Sequence, residues 1–421
     1  MLRNYLKIAI AVLKRRWFFT FISLFGISLT LATIMVVVAF FTQFENPGYP
    51  DIHRDRMLYV TSMYFWGDGD KHNINGGAIG FYLYKHYAST LKIPEAVALS
   101  SNPTRTNTYI NDKKLGLALR YTDEHFWDVL QFQFLEGKPF DRRQIDNGDN
   151  VAVITDDLRN DYFGKGETAV GKYIVADNTQ FRVIGVVRGD VRSNEFSTAD
   201  VYLPYSLSRG DLKSTDISGN YSILLLARNK SEIPAMRREF DEMFNRIPIS
   251  DPMRYDHQKT WADLFLATYT RHLFGISMSN GHFRENGDGI TWFYVCAALL
   301  TFLFMLIPTI NLININVTRI MERSSEIGVR KSFGASSGTL VLQFLVENVF
   351  LTLLGGLIGV LLSIAALALL NRAEPIKNLH LFLNFPALLY GLAACLFFGI
   401  LSGVYPAWRM SRLNVVTALK S

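Results

Sequence analysis

Four long apolar runs constrain this 421-residue chain more than any other feature. A helix needs about 20 apolar residues to cross a bilayer. Residues 17–42, 290–317, 340–370 and 385–408 reach that length, the third interrupted by Gln343, Glu347 and Asn348. The first run is uncharged, longer than the roughly 7–15 residue core of a signal peptide, and lacks a small-x-small cleavage site after it. It is expected to be a retained helix. The composition, 49% hydrophobic and 19% charged, suits a soluble protein only as an average, because the apolar residues are clumped.

Charge fixes the expected orientation. Arg3, Lys7, Lys14, Arg15 and Arg16 precede the first run; Arg319, Arg323, Arg330 and Lys331 follow the second; Arg409, Arg412 and Lys420 follow the fourth. Only Glu322 and Glu326 oppose them, whereas residues 43–289 carry a slight acidic excess. Lys and Arg near helix ends mark the cytoplasmic side. Both termini and residues 318–339 are therefore expected in the cytoplasm of a bacterial inner membrane, with residues 43–289 and 371–384 outside. A basic patch can signal nucleic acid. Here each cluster abuts an apolar run, so membrane lipid is the expected partner and nucleic acid is not. Residues 1–16 read as an amphipathic helix lying in the interface plane, a simple anchor or a contact for a cytoplasmic partner.

The fold class that follows is a four-helix membrane protein with a large α+β extracytoplasmic domain inserted between helices 1 and 2. In that domain residues 115–121, 151–154, 181–187 and 221–227 read as strands, and residues 78–91, 156–163 and 232–247 as helices. Gly137-Lys138-Pro139, Asn147-Gly148 and Arg188-Gly189-Asp190 read as turns. Residues 63–66, Met-Tyr-Phe-Trp, suit either the core or a ligand or membrane contact. Residues 166–173 nearly match a P-loop, but Tyr173 stands where the Mg²⁺-binding hydroxyl belongs. A turn followed by a strand from about Lys172 is expected instead. Cys296 and Cys395 both lie in apolar runs and build no disulfide framework or zinc site. No catalytic constellation and no metal site is visible, so the chain is not expected to be an enzyme.

Within the helices, Gly355-x-x-x-Gly359 and Gly399-x-x-x-Gly403 would let backbones approach closely. Glu347 lies about 12 Å into the third run at 1.5 Å per residue. It suits a bundle interior, a watery cavity, or a side chain reaching back to the interface.

Residues 322–335 read Glu-Arg-Ser-Ser-Glu-Ile-Gly-Val-Arg-Lys-Ser-Phe-Gly-Ala, a short polar helix with a glycine stop and basic last turn. Glu326 to Ala335 resembles the coupling-helix motif of the MacB/FtsX-like ABC permease family. Ser402-Gly-Val-Tyr-Pro-Ala-Trp-Arg-Met-Ser-Arg-Leu413 resembles that family's closing motif. Leu135-Glu-Gly-Lys-Pro-Phe140, Tyr162-Phe-Gly164, Phe181-Arg-Val-Ile-Gly-Val-Val187 and Asp200-Val-Tyr-Leu-Pro-Tyr205 resemble its periplasmic core domain. Ser324, Ser325, Val415 and Thr417 depart from the common pattern. The resemblance implies mechanotransmission: a cytoplasmic ATPase pushes the coupling helix, and a domain across the bilayer moves. It implies Glu326, Gly328, Arg330, Lys331 and Gly334 as the ATPase contact. Glu347, Gly355, Gly359, Gly399 and Gly403 are expected to serve helix packing and transmission. No Walker A motif occurs in the cytoplasmic segments, so ATP and Mg are expected on a separate ATPase, with no cofactor in this chain. A second permease copy, identical or related, and an adaptor or other extracytoplasmic protein are the further partners implied. A hydrophobic or amphipathic cargo (peptide, lipoprotein, toxin or drug) is expected; the alternative is activation of a cell-wall hydrolase.

Overall fold

The computed structural model describes residues 17–45, 48–67, 75–110, 113–189, 196–210, 212–265, 337–373 and 381–397 except 387, with short pieces between 267 and 313 and residue 400. The chain divides into two compact units. A helical unit takes residues 1–44, 292–375 and 380–421; a large unit takes residues 45–291 and 376–379.

Helix α1 (Trp17–Glu45) contains no Pro, and its one charge is the terminal Glu45. It is apolar on every face, as a helix surrounded by lipid and other helices must be. The helix runs three residues beyond the expected end at 42. The apolar run marks the hydrocarbon core, and backbone hydrogen bonding does not stop at its edge.

The large unit opens with β1 (Met57–Val60), β2 (Met63–Trp66), β3 (Asn75–Ile79), α2 (Phe81–His86), β4 (Ala96–Ser101), β5 (Thr104–Ile110) and β6 (Lys113–Thr122). It continues with α3 (Phe126–Val129), β7 (Phe134–Gly137), α4 (Arg142–Asn147), β8 (Val151–Thr155), α5 (Asp156–Phe163), β9 (Tyr173–Ala176) and β10 (Thr179–Val187). Then come β11 (Val201–Pro204), β12 (Ser218–Gly219), β13 (Tyr221–Leu226), α6 (Ile233–Asn245) and β14 (His257–Thr260). The strands form one sheet in the order β14-β2-β3-β13-β4-β6-β11-β8-β10-β7, with β1 on β13, β12 on β3, β5 on β6 and β9 on β10. The β8–β10 and β6–β11 pairs are parallel. Every residue of β8 and of β13 is buried. Their mostly apolar sequences reflect strands covered on both faces.

Local chemistry sets the helix ends. Asp141 and Gln144 form a reciprocal capping box at the start of α4, which ends on Gly148 at φ 67. Thr155 caps α5, accepting from Leu158 N at 3.3 Å, and Asp156 and Asp157 favour its positive end. Helix α6 buries Met236, Phe240 and Phe244, one turn apart.

The helix expected over residues 78–91 is a correction. Ala78 and Ile79 close β3, Gly80 is extended at φ −78, ψ 151, and only Phe81–His86 is α-helical before a short 3-10 turn. Gly80 N donates to Ile217 O at 2.7 Å, and a Cβ on Gly80 would lie 2.3 Å from Asp216 O. Close approach of a distant strand overrides the helical periodicity. The 63–66 stretch is split by strand alternation: Met63 and Phe65 are buried, while Tyr64 meets Trp261 and Trp66 stacks on His257.

The described residues of the helical unit also include α7 (Ser337–Ala373) and α8 (Leu388–Phe397). Helix α7 overruns the expected 340–370 at both ends, for the reason given for α1. Among the described residues, α1 and α7 are the two helices long and apolar enough to cross a membrane. Residues 295–300, within the second apolar run, are helical.

Candidate functional site

The site of interest in the helical unit is the seam between α1 and α7. On α7, Glu347, Leu351, Gly355, Gly359, Ser363 and Leu367 are buried at a strict four-residue spacing. That spacing traces a single ridge along a helix. On α1, Ile27, Ser28, Leu31, Ala32 and Met35 are buried, while Phe21, Phe25 and Leu29 point outward. Leu353, Leu357, Leu361 and Ile364 form the outward face of α7. Such apolar exposure suits contact with lipid.

The glycines allow the two backbones to close on each other. A Cβ on Gly355 would lie 2.9 Å from Ile27 Cβ, and one on Gly359 would lie 3.0 Å from Leu31 Cβ and 3.1 Å from Ser28 O. Advancing four residues on α7 advances the partner four residues on α1, so the helices run parallel. Helix α8 joins the same cluster. Gly391 faces Leu31 at 3.0 Å, Leu392 faces Gly356 at 3.0 Å, and Leu388 packs with Leu31 and Met35.

Polar groups in the seam are turned inward on their own helices. Thr352 Oγ1 donates to Asn348 O at 2.9 Å, Ser363 Oγ to Gly359 O at 2.7 Å, and Ser28 Oγ to Phe25 O at 3.1 Å. Glu347 is 2% exposed and Asn348 7%, both on the inward face. The partners Ile27, Ser28 and Leu31 were not legible in advance. A glycine pair announces a close approach but does not name the helix that fills it.

The remaining sequence-derived positions, Glu326, Gly328, Arg330, Lys331, Gly334, Gly399 and Gly403, lie outside the described residues. So do residues 1–16.

In the large unit, buried polar groups brace the sheet. Arg120, 1% exposed, donates to Ser100 Oγ at 2.8 Å, Ser101 O at 2.6 Å and Thr198 O at 3.1 Å. Asp123 is fully buried; it accepts from Tyr84 Oη and, at 3.0 Å, from Phe126 N at the start of α3. Burial pushes its carboxyl up to about 7, and the Tyr84 hydrogen bond offsets this only in part. Burial, and then the neighbouring Asp123, push the Tyr84 phenol up as well. Among the described residues no group of three His, Cys, Asp or Glu side chains could hold a metal. Residues 166–173 do not fit a phosphate. A P-loop runs from strand to helix, whereas this loop follows α5 and enters β9 at Tyr173, with Lys172 paired to Glu167 at 3.2 Å.

Residues 20–243 match the family model described as the MacB-like periplasmic core domain, and residues 298–415 match the FtsX-like permease C-terminal model. The macrolide export ATP-binding/permease protein MacB of Acinetobacter baylyi is 22% identical over 422 residues, covering 95% of this chain and 57% of that protein. The uncharacterized ABC transporter permease YknZ of Bacillus subtilis is 21% identical over 328 residues, covering 78% of this chain and 75% of its own. The periplasmic region of MacB from Actinobacillus actinomycetemcomitans, a solved structure, is 14% identical with a TM-score of 0.35, covering 53% of this chain and 94% of that one. The chain spans about half the length of the ATP-binding/permease proteins it matches.

Proposed function

The chain belongs to the ABC transporter permease family that joins a MacB-like periplasmic core domain to an FtsX-like permease module, and from that premise we propose that it transmits force across the membrane for a separate ATPase. Four spans are proposed, with residues 290–317 and 385–408 as the second and fourth. Both termini and residues 318–339 face the cytoplasm at the bacterial inner membrane, and residues 43–289 lie outside. The observation that carries this reading is the parallel packing of α1 and α7. Two parallel helices start on the same side, so the chain must recross between them, and the apolar run 290–317 supplies that crossing. The proposed handle, residues 318–339, leads directly into α7. Displacement of α7 passes through Gly355 and Gly359 to α1, and the large unit follows α1 in the sequence.

In this reading Glu326, Gly328, Arg330, Lys331 and Gly334 contact the ATPase, which alone binds ATP and Mg. A second permease copy completes the complex, and an adaptor or other extracytoplasmic protein meets the outer domain. The work is export or extraction of a hydrophobic or amphipathic cargo such as a peptide, lipoprotein, toxin or drug. The test is co-purification with a candidate ATPase. Wild type is expected to retain it and raise its turnover, and the variant carrying Glu326→Lys with Arg330→Glu is expected to do neither. Equal retention and stimulation by both proteins would refute the assigned contact.

A further inference from the structure

Residues 51–56 read Asp-Ile-His-Arg-Asp-Arg, a sequence that looks made for solvent. The structure inverts it. Asp51 is 0% and Arg54 4% exposed, while Ile52, the one apolar residue, is 46% exposed. Arg54 holds Asp51 by two bonds, Nε to Oδ2 at 2.7 Å and Nη2 to Oδ1 at 3.0 Å. Its guanidinium lies 4.0 Å from the centre of the Phe265 ring. Tyr59 packs its ring on Phe196 and Phe265, and its Oη lies 3.4 Å from Asp51 Oδ2.

The same cluster ties together two distant parts of the large unit. Tyr59 N donates to Asp263 O at 2.7 Å, and Asp263 N returns a bond to Tyr59 O at 3.2 Å. Asp263 also pairs with Arg237 of α6 at 3.1 Å. Through β1 the segment is paired to β13, inside the sheet. Toward the other end of the sheet, Tyr49 Oη donates to Arg188 O at 2.6 Å and accepts from Gln133 N at 3.2 Å. Residues 48–60 begin three positions after α1 ends, and residues 261–268 lie on the approach to the apolar run 290–317.

A buried ion pair is weak evidence for net stability, since desolvating both charges can outweigh their attraction. What it does supply is direction. Apolar contacts are non-directional and permit sliding, whereas a two-bond fork resists both translation and rotation. We infer that Asp51, Arg54, Tyr59 and Phe265 form a rigid joint that locks residues 48–60 to residues 261–265, so that motion delivered to residues 48–60 enters the sheet without slack. Asp51 and Arg54 are positioning residues in this joint. The locking stands on the geometry; its use in force transfer rests on the function proposed above.

The test uses the full chain in lipid nanodiscs, with hydrogen exchange at the Tyr59 and Asp263 amides, which bond to each other's carbonyls. Asp51→Asn and Arg54→Met are each expected to speed exchange at both amides together by tenfold or more, leaving Leu224 and Leu225 of β13 unchanged. Loosening at Tyr59 alone overturns the proposal, and so does equal loosening of the whole unit. The apolar pair Asp51→Leu with Arg54→Met, which removes both charges of the fork, serves where a single variant fails to fold. With the ATPase bound, this pair is expected to stimulate turnover as wild type does while losing the ATP-dependent distance change between spin labels on α6 of the two permease copies. An unchanged distance change removes the joint from the transmission path. A wild type that recruits no ATPase removes the function proposed above, and the exchange result then judges the joint alone.

Discussion

The α1–α7 seam and the interior of the sheet are both densely packed, but for different physical reasons. The sheet is closed by large side chains: Leu224, Tyr202, Phe126 and Phe240 are each 0% exposed. Removal of apolar surface from water drives that burial, at roughly 25 cal/mol per Å². In the seam the surroundings are as apolar as the side chains, so burial gains little and fit decides. The contact there is made by what is missing, the Cβ atoms of Gly355 and Gly359. The comparison teaches that deletion of atoms should harm the sheet, and addition of atoms should harm the seam.

The largest expected effect is in the sheet. Leu224→Ala removes a side chain at the centre of β13, paired to Ala98 and Tyr59. A loss of about 2–5 kcal/mol is expected, read as a lower melting midpoint of the full chain by tryptophan fluorescence. A change below measurement would break the claim that this strand is closed by size. The next effect is in the seam. Gly355→Leu drives side-chain atoms into Ile27 and is expected to destabilise by about 1–3 kcal/mol. The same leucine should also abolish stimulation of a bound ATPase without releasing it. If stimulation survives, the seam is not the route between α7 and α1.

A third effect, read across pH rather than at one condition, sharpens the comparison from its polar side. The Asp123 carboxyl has a pKa of about 7 in the folded chain, above its ordinary 3.8. The folded chain therefore holds a proton that the unfolded chain gives up at intermediate pH. Stability contributed by this group is full below about pH 4 and falls as pH rises to about 7. Asp123→Asn copies the protonated form and should flatten that slope, with its gain over wild type growing across the window. Identical pH profiles of melting would show that Asp123 is ionised in the fold at no penalty.

Much of this architecture was legible because it is written in local patterns. The uncharged run that became α1 and the valine-rich run that became β8 each announce themselves over a few turns or residues. Helix α5 lies where the helix was expected, over residues 156–163. What escaped was written in pairs far apart in the chain. Gly80 breaks the helix expected over residues 78–91 because Ile217 approaches it. Asp51 and Arg54 look solvated until Phe265, more than two hundred positions on, closes over them. Gly355 and Gly359 declared a close contact, but the identity of Ile27 and Leu31 as its other half required three dimensions.

The meshing of α1 with α7 has a consequence for chain length. Between Ala39, still buried on α1, and Glu45 at its end, the helix's phase is counted in residues. One residue inserted there would leave the seam engaged yet rotate the last turn of α1 by about 100°, with an advance of only about 1.5 Å. Seven inserted residues would nearly restore the original bearing, missing by about 20°. Lineages should therefore tolerate heptad-sized changes in this stretch far more readily than single ones, as a gear train tolerates a longer axle but not a mistimed one.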